Sequence, residues 1–209
     1  MLHVTIAAEG KVAPEVPHAD QMALPEAGEP ARIETYFPDV LDKVDPSVKR
    51  PCVAILPGGA YARVSAREAE PVALQMVARG FVACVISYSC APARYPVALV
   101  QAAGAIAYLK RHAEAFHIDP GHIFLMGFSA GAHLALDLGC EWMEPWLSGR
   151  VGAASEEMRP CGLVLGYPVV TSGAYAHRGS FDNLCGDDEE LKQKLSLENR
   201  VTKDTPPAF

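Results

Sequence analysis

The chain has 209 residues, of which 50% are hydrophobic and 21% are charged, and its formal net charge is −7. This length suffices for one sizeable core and is too short for two ordinary domains, and the composition excludes an intrinsically disordered chain. The acidic balance gives no support to nucleic-acid binding, which requires a basic face.

Short apolar runs separated by polar or helix-like segments predict the strands. Val4 to Ala8 and Arg32 to Phe37 are predicted as short strands, and residues 9–30 between them, with four prolines and two glycines, as a surface excursion. Four further runs predict strands within residues 52–56, 81–88, 122–126 and 162–170. Because these runs do not alternate polar with apolar residues, they indicate strands covered on both faces, as in a parallel sheet.

Helices are predicted between the strands. One is expected from Arg67 to Gly80, where a glycine suits the C-cap, and another over residues 95–116, with an apolar stripe, Pro96 near its start and Pro120 beyond its end. Strand and helix in alternation predict an α/β fold, a doubly wound, mostly parallel sheet with helices on both faces. We expect a single domain over residues 1–209.

The stretch His122 to Leu138, "HIFLMGFSAGAHLALDL", carries one serine between two glycines. Gly127, Phe128, Ser129, Ala130 and Gly131 form the pattern G-x-S-x-G between a strand-like run and a helix start. A sharp strand-to-helix turn would lift the Ser129 hydroxyl above the sheet edge, and the glycines would let neighbouring backbone pass closely. The new helix would also point its free N–H groups at this position. We therefore expect Ser129 to be a catalytic nucleophile on a nucleophile elbow.

A glycine pair follows the strand at residues 52–56, in "LPGGAY". Acyl transfer needs backbone N–H groups that meet the developing oxyanion, and a glycine pair after such a strand commonly supplies them. The expected donors come from the backbone of Gly58, Gly59, Ala60 and Ala130, and Tyr61 is a candidate wall of the substrate pocket. A glycine pair can equally serve only as a tight turn.

Taken together, "PGGAY" and "GFSAGAHLA" resemble the α/β-hydrolase superfamily, and within it the hormone-sensitive-lipase-like and feruloyl-esterase-like bacterial acetyl and xylan esterases. "SYSCAPARYPVALVQAAGAIAYLK", "GYPVVTSG" and "HRGSFDNLCG" extend the resemblance over most of the chain from about residue 50. The family motif at the oxyanion hole is H-G-G-G, where this chain has Pro57 in place of the histidine and Ala60 in place of the last glycine. The resemblance implies hydrolysis of short carboxylic esters, such as acetyl groups on sugars or xylo-oligosaccharides, through an acyl-enzyme.

The resemblance also implies an acid and a histidine that follow the serine in chain order, both beyond Phe209. We therefore expect a C-terminally incomplete domain in which the last strands of the sheet are missing. His133 lies four residues into the predicted elbow helix and is expected to face the core. His177 is expected to have a structural or pocket-lining role. Three aspartates could in principle supply a carboxylate, although "GDDEELKQKL" indicates a helix N-terminus with acidic residues in its first turn: Asp182, Asp187 and Asp188.

The sequence leaves two other functions open. One is an amide hydrolase of the same fold, a peptidase or a formamidase-like enzyme, although Tyr61 stands where the formamidase branch usually has tryptophan. The other is a catalytically inactive fragment that lacks the acid and the histidine.

Cysteine usage and the terminal sequence guide the remaining expectations. Six cysteines without a C-x-x-C pair predict free thiols, and no cofactor or metal site is expected because the chain has neither G-x-G-x-x-G nor a metal-ligand spacing. The N-terminus lacks the pattern of a signal peptide, and no apolar run is long enough to span a membrane, so a cytoplasmic protein is expected. The expected partners are a small-molecule ester and, through an exposed sheet edge, a second copy of the chain, with no nucleic acid and no membrane.

Overall fold

The computed structural model describes residues 31–37 and 47–209 and, as backbone only, residues 2–6. Within these ranges six strands form one sheet in the spatial order β1-β2-β4-β3-β5-β6. The strands are β1 Leu2–Ile6, β2 Ala31–Tyr36, β3 Arg50–Leu56, β4 Val82–Ser87, β5 Ile118–Phe128 and β6 Gly162–Gly166. The six predicted strands are therefore present with shifted ends, whereas the excursion predicted at residues 9–30 lies outside the described residues.

The sheet is parallel where it carries the predicted site. β3 pairs in parallel with β4 and with β5, and β5 pairs in parallel with β6. β1 and β2 form an antiparallel margin beside β4. The mostly parallel sheet that the apolar runs predicted is thus confirmed. The outer side of β6 is paired as well, since Leu163 donates its N–H to the carbonyl of Pro207 at 2.8 Å and accepts from the N–H of Phe209 at 3.0 Å.

β5 begins earlier than its apolar run indicated. Ile118 pairs with Arg50, and the ladder resumes only where Ile123 pairs with Cys52, so four residues of β5 face one of β3. Proline has no N–H to donate to a ladder and is tolerated at such an irregularity. Pro120 therefore lies inside the bulged strand rather than in the expected break before it.

The helices cover both faces of the sheet, as predicted. They are α1 Glu70–Val77, α2 Val97–Arg111, α3 Ala130–Glu141, α4 Pro145–Val151, α5 Ser155–Met158, α6 Arg178–Cys185 and α7 Glu189–Lys194, with 3₁₀ turns at Ala66–Glu68 and Leu197–Asn199. The helix expected from Arg67 to Gly80 is divided into a 3₁₀ turn and α1, which has a proline in its first turn. The acidic stretch is α7, whose N-cap Asp188 accepts the N–H of Leu191 at 2.9 Å.

Two apolar clusters hold these layers together. On one face, Ala73 of α1 packs with Val53, Ile55 and Val85 of the sheet. On the other face a larger cluster contains α2 and α3, and α2 is buried from Ala98 to Leu109. Each fully buried leucine or isoleucine stabilises the fold by roughly 1.5–3 kcal/mol. The elbow between β5 and α3 therefore lies on the larger of these two apolar clusters.

The six cysteines are free thiols, as predicted. Cys52 and Cys84 are fully buried on neighbouring strands with their sulfur atoms 3.7 Å apart. Hydrogen bonding to Cys84 and burial raise the pKa of the Cys52 thiol. In the part of the chain that the structure describes, no helix has the length and hydrophobicity required to cross a bilayer.

Candidate active site

Ser129 lies at the turn between β5 and α3, where the sequence placed it. Its backbone has φ 52° and ψ −117°, a conformation that residues other than glycine rarely adopt. Its N–H donates to the carbonyl of Gly166 at 2.9 Å, and its own carbonyl accepts the N–H groups of Ala132 and His133 at 3.1 Å. The residue is half-buried, and within residues 31–37 and 47–209 its hydroxyl has no hydrogen-bond partner. The hydroxyl is therefore available at the tip of a strained turn.

The glycines on either side of Ser129 are required by close backbone contacts. A Cβ built on Gly127 would lie 2.3 Å from the carbonyl oxygen of Gly131. A Cβ on Gly131 would lie 2.1 Å from the carbonyl oxygen of Leu56. Phe128, between them, is half-buried and packs on Tyr167, with the two ring centroids 5.8 Å apart. These contacts bring the end of β3 directly beneath the turn that carries Ser129.

The loop after β3 passes beside Ser129. A Cβ on Gly58 would lie 3.0 Å from the Cβ of Ser129, so the Gly58 backbone faces the serine directly. Gly59 has φ 131°, Ala60 has φ 57° and Tyr61 has φ 55°, so three successive residues hold positive φ. We call residues 57–61 the oxyanion loop, after the role predicted for their backbone. Positive φ at the non-glycine residues Ala60 and Tyr61 is strained backbone, which is typical of functional sites.

The four predicted donors of the oxyanion hole are not equivalent. The N–H of Gly58 already donates to Oε2 of Glu68 at 2.7 Å, which removes Gly58 from the donors that a substrate could use. The N–H groups of Gly59, Ala60 and Ala130 donate to no acceptor among the described residues. Ala130 is the first residue of α3, where an N–H has no partner inside the helix. That the N–H groups of Gly59, Ala60 and Ala130 form an oxyanion hole stays a prediction.

Glu68 is a site residue that the sequence did not reveal. It lies in the 3₁₀ turn before α1 and is only 7% exposed. Besides the N–H of Gly58, it accepts the hydroxyl of Tyr167 on Oε1 at 2.8 Å. Burial and this hydrogen bond raise the pKa of Tyr167. In the sequence Glu68 is one acidic residue near a helix start, and no local pattern indicates that its carboxylate is buried.

Tyr61 and His133 form a buried pair behind the oxyanion loop. Nε2 of His133 lies 3.0 Å from the carbonyl oxygen of Leu195, which can only accept, so Nε2 carries the proton. Nδ1 of this neutral ring then accepts the hydroxyl of Tyr61 at 2.9 Å. Burial lowers the pKa of His133 to about 4. Both ring nitrogens are engaged away from Ser129, which agrees with a core position. Tyr61 is 2% exposed and faces the interior, not an open pocket.

The other candidate partners of Ser129 also bind elsewhere. His177 is exposed at the N-cap of α6, and its Nδ1 lies 2.9 Å from Oγ of Ser180. The Asp182 carboxylate pairs with Lys192 at 2.7 Å. Asp188 caps α7 and Asp187 is exposed. Among the residues described, none of these side chains is hydrogen-bonded to Ser129.

A second group of buried polar side chains follows His133 along α3. Asp137 and Glu141 are each 1% exposed, one and two turns further on. Arg200 forms an ion pair with Glu141, and Nε1 of Trp146 donates to Oε2 of Glu141 at 3.3 Å. Oδ1 of Asp137 has no hydrogen-bond partner among the described residues. Burial, followed by repulsion from Glu141, raises the pKa of Asp137 to about 8.

A mostly parallel α/β sheet with a strained serine at a strand-to-helix turn and free backbone donors beside it defines the class of α/β-hydrolases. Residues 39–160 match the model of the BD-FAE family, more than half of the chain, and the chain belongs to that family.

Solved structures share this architecture. The acetyl ester-xyloside bifunctional hydrolase from Caldicellulosiruptor lactoaceticus superimposes with a TM-score of 0.78 at 30% identity, over 98% of this chain and 72% of that one. The carboxylesterase Cest-2923 from Lactobacillus plantarum WCFS1 gives a TM-score of 0.72 at 28% identity, over 91% and 70%.

Curated relatives match over part of their length. Endo-1,4-beta-xylanase B of Butyrivibrio fibrisolvens is 34% identical over 169 residues, 78% of this chain and 26% of that protein. Esterase LipQ of Mycobacterium tuberculosis is 35% identical over 92 residues, 43% of this chain and 22% of that protein. The chain therefore spans about a quarter of the length of the curated relatives that it matches.

Proposed function

We propose that the protein is a serine hydrolase of short-chain carboxylic esters, with Ser129 as the nucleophile. The observation that carries the proposal is the position of the Ser129 hydroxyl, which lies at a strained turn beside the oxyanion loop and has no hydrogen-bond partner among the described residues. Strained backbone of this kind persists where the surrounding structure enforces it, and it is typical of active sites. The matched relatives named as an esterase, a carboxylesterase and an acetyl ester hydrolase support the same reaction class.

In the proposed reaction, Oγ of Ser129 attacks the ester carbonyl carbon while a base takes its proton. The carbonyl oxygen becomes an oxyanion, which the N–H groups of Gly59 and Ala130, with that of Ala60, would bind. Collapse breaks the bond to the alcohol oxygen, which leaves with a proton and yields an acyl-serine. Water then attacks the acyl-serine, releasing the acid and restoring the hydroxyl. Because His133 is neutral, buried and engaged at both nitrogens, the proposal assigns the base to a residue outside those that the structure describes.

The proposed substrates are short acyl esters, in particular acetyl groups on a carbohydrate. Two names support this choice: the acetyl ester-xyloside hydrolase, which this chain resembles over almost its whole length, and the xylanase with 34% identity. The neighbouring residues Phe128 and Tyr167 supply aromatic surface beside the serine, and Tyr167 is 65% exposed. An exposed aromatic ring with a polar edge can pack against a sugar ring or another small alcohol part of an ester.

The test measures how fast the complete gene product hydrolyses four substrates: p-nitrophenyl acetate, p-nitrophenyl octanoate, acetylated xylo-oligosaccharides and p-nitroacetanilide. We expect the acetyl esters to react fastest and Ser129→Ala to lower kcat by at least about 10³-fold. Ser148→Ala, which removes a hydroxyl that lies 3.1 Å from the hydroxyl of Ser155, is the matched control and should retain wild-type rates. Equal rates for wild type and Ser129→Ala would refute the proposal, and preferential cleavage of the anilide would replace the ester with an amide as substrate.

A further inference from the structure

A single buried carboxylate joins the two segments that flank Ser129. Oε2 of Glu68 accepts the N–H of Gly58 at 2.7 Å, and Oε1 accepts the hydroxyl of Tyr167 at 2.8 Å. Glu68 is 7% exposed, and the exposed guanidinium of Arg67 lies 3.9 Å from its Oε1. Both carboxylate oxygens thus bind groups of the site. A hydrogen bond to an ionised acceptor is roughly twice as strong as one between neutral groups.

On the oxyanion-loop side, this contact completes the fixing of one peptide group. The carbonyl of Pro57 accepts the hydroxyl of Tyr88 at 2.7 Å, and the N–H of Gly58 is held by Glu68. These are the two polar ends of the same peptide unit, and both partners are buried side chains. A peptide unit is planar, so holding both ends fixes its orientation. The next N–H along the chain, that of Gly59, is the first free donor, and its direction depends on this plane.

The other carboxylate oxygen contacts the segment after β6, through the hydroxyl of Tyr167. The carbonyl of Gly166 accepts the N–H of Ser129 at 2.9 Å, and Val169 returns an N–H to the carbonyl of Ser129 at 3.3 Å. Tyr167, between these contacts, has φ 37° and is 65% exposed, so its own packing constrains it weakly. Glu68 is the polar group that restrains its hydroxyl. The carboxylate therefore links the oxyanion loop to this segment by hydrogen bonds at both of its oxygens.

We propose that Glu68 is a positioning residue of the acyl-transfer site. It holds the peptide 57–58, and through it the donor at Gly59, at a fixed place relative to Ser129, while tying Tyr167 to the same point. This inference rests on the proposed function, and it concerns a residue that acts through the backbone rather than by touching substrate. A displacement of about 1 Å in such a donor can lower a rate by about 10²-fold.

Shape and charge are separated by two substitutions at Glu68. Glu68→Gln keeps the length of the side chain and an amide oxygen for the Gly58 N–H, but removes the charge. Glu68→Asp keeps the charge but is shorter by one methylene, so it cannot reach both Gly58 and Tyr167. A positioning role predicts that Gln retains more activity than Asp, whereas a purely electrostatic role predicts the reverse order.

The experiment measures kcat and KM for p-nitrophenyl acetate with the complete gene product, together with the inhibition constant of an aryl trifluoromethyl ketone, whose serine adduct carries an oxyanion. Glu68→Asp and Glu68→Ala should lower kcat by about 10- to 100-fold, with KM changed less than about threefold. They should raise the inhibition constant of the ketone by about the same factor as the loss in kcat. Glu68→Gln should stay within about fivefold of wild type. The control Glu70→Gln, exposed and two residues further on, should match wild type. Thermal midpoints are measured for every variant.

Wild-type kcat and ketone affinity in Glu68→Asp would overturn the inference, as would Asp outperforming Gln. Losses that follow the thermal midpoints, with Gln no better than Ala, would also overturn it by showing a structural role alone. If Glu68→Ala does not fold, the Gln and Asp pair still decides the question. Failure of the proposed function has a separate signature, equal rates for wild type and Ser129→Ala, and it removes the positioning role with it.

Discussion

The carboxyl group of Asp137 should make the folded state less stable as the pH rises through neutrality. It lies in α3, 1% exposed, with Oδ1 lacking a partner among the described residues. Burial raises its pKa to about 8, with a further contribution from Glu141, against the opposing attraction of Arg200 and Lys194. In the unfolded chain an aspartate has a pKa of about 3.9.

The sign follows from which state holds the proton. Between the two pKa values the folded protein keeps a proton on Asp137 that the unfolded chain has released, so the free energy of unfolding falls by about 1.4 kcal/mol per pH unit. His133, with its pKa lowered to about 4, contributes the opposite slope only below its unfolded pKa of about 6.5. From pH 6.5 to 8 the expected loss from Asp137 is about 1.5 kcal/mol, and comparison with a variant that lacks only this carboxyl cancels the smaller contributions of His133 and of the buried thiols.

Urea unfolding of wild type and Asp137→Asn at several pH values between 6.5 and 8 measures this effect. The asparagine does not titrate and has nearly the same shape, so the difference in unfolding free energy between the two proteins should change by about 1.5 kcal/mol in favour of the variant. Asp187→Asn, at an exposed position, should run parallel to wild type. Parallel curves for wild type and Asp137→Asn would show that the buried carboxyl does not hold its proton, and the reasoning would be refuted.

Three further outcomes are expected. Lowering the pH from 6.5 to 4 should destabilise wild type relative to His133→Gln by about 3 kcal/mol, because the ring gains a proton only on unfolding, as acid-range urea titrations would detect. Gly131→Ala, whose Cβ would lie 2.1 Å from the carbonyl oxygen of Leu56, should cost more than about 2 kcal/mol in thermal unfolding. Its control Gly149→Ala, with no atom within 4 Å, should gain up to about 1 kcal/mol. Ser129→Gly should raise stability by about 1 kcal/mol relative to Ser129→Ala by relieving positive φ.

The part of the site that the sequence predicted is the part that local sterics determine. Gly127 and Gly131 must be glycines because backbone atoms pass within 2.3 Å of where a Cβ would stand, and that requirement leaves a readable pattern around Ser129. The contacts of Glu68 could not be predicted, since its partners lie 10 and 99 residues away and the fold alone brings them together. Gly58 shows the same limit, because only its hydrogen-bond partner distinguishes it from the glycine that follows.

Positive φ among non-glycine residues is concentrated at this site. Of five such residues in the described part of the chain, four lie beside the proposed nucleophile or in the segments flanking it: Ala60, Tyr61, Ser129 and Tyr167. Each such conformation costs on the order of 1–3 kcal/mol, so each requires a compensating contact.

The compensating contacts are hydrogen bonds with partners outside the strained segments. The hydroxyl of Tyr61 is bound by His133, which is itself fixed by the carbonyl of Leu195, and Glu68 binds the hydroxyl of Tyr167. The N–H of Ser129 is bound by the carbonyl of Gly166. These partners come from different parts of the chain, so the strained backbone is held by contacts that do not involve a substrate. In the proposed reaction, donors held in this way need little reorganisation when charge develops, which is the condition under which electrostatic stabilisation of an oxyanion is most effective.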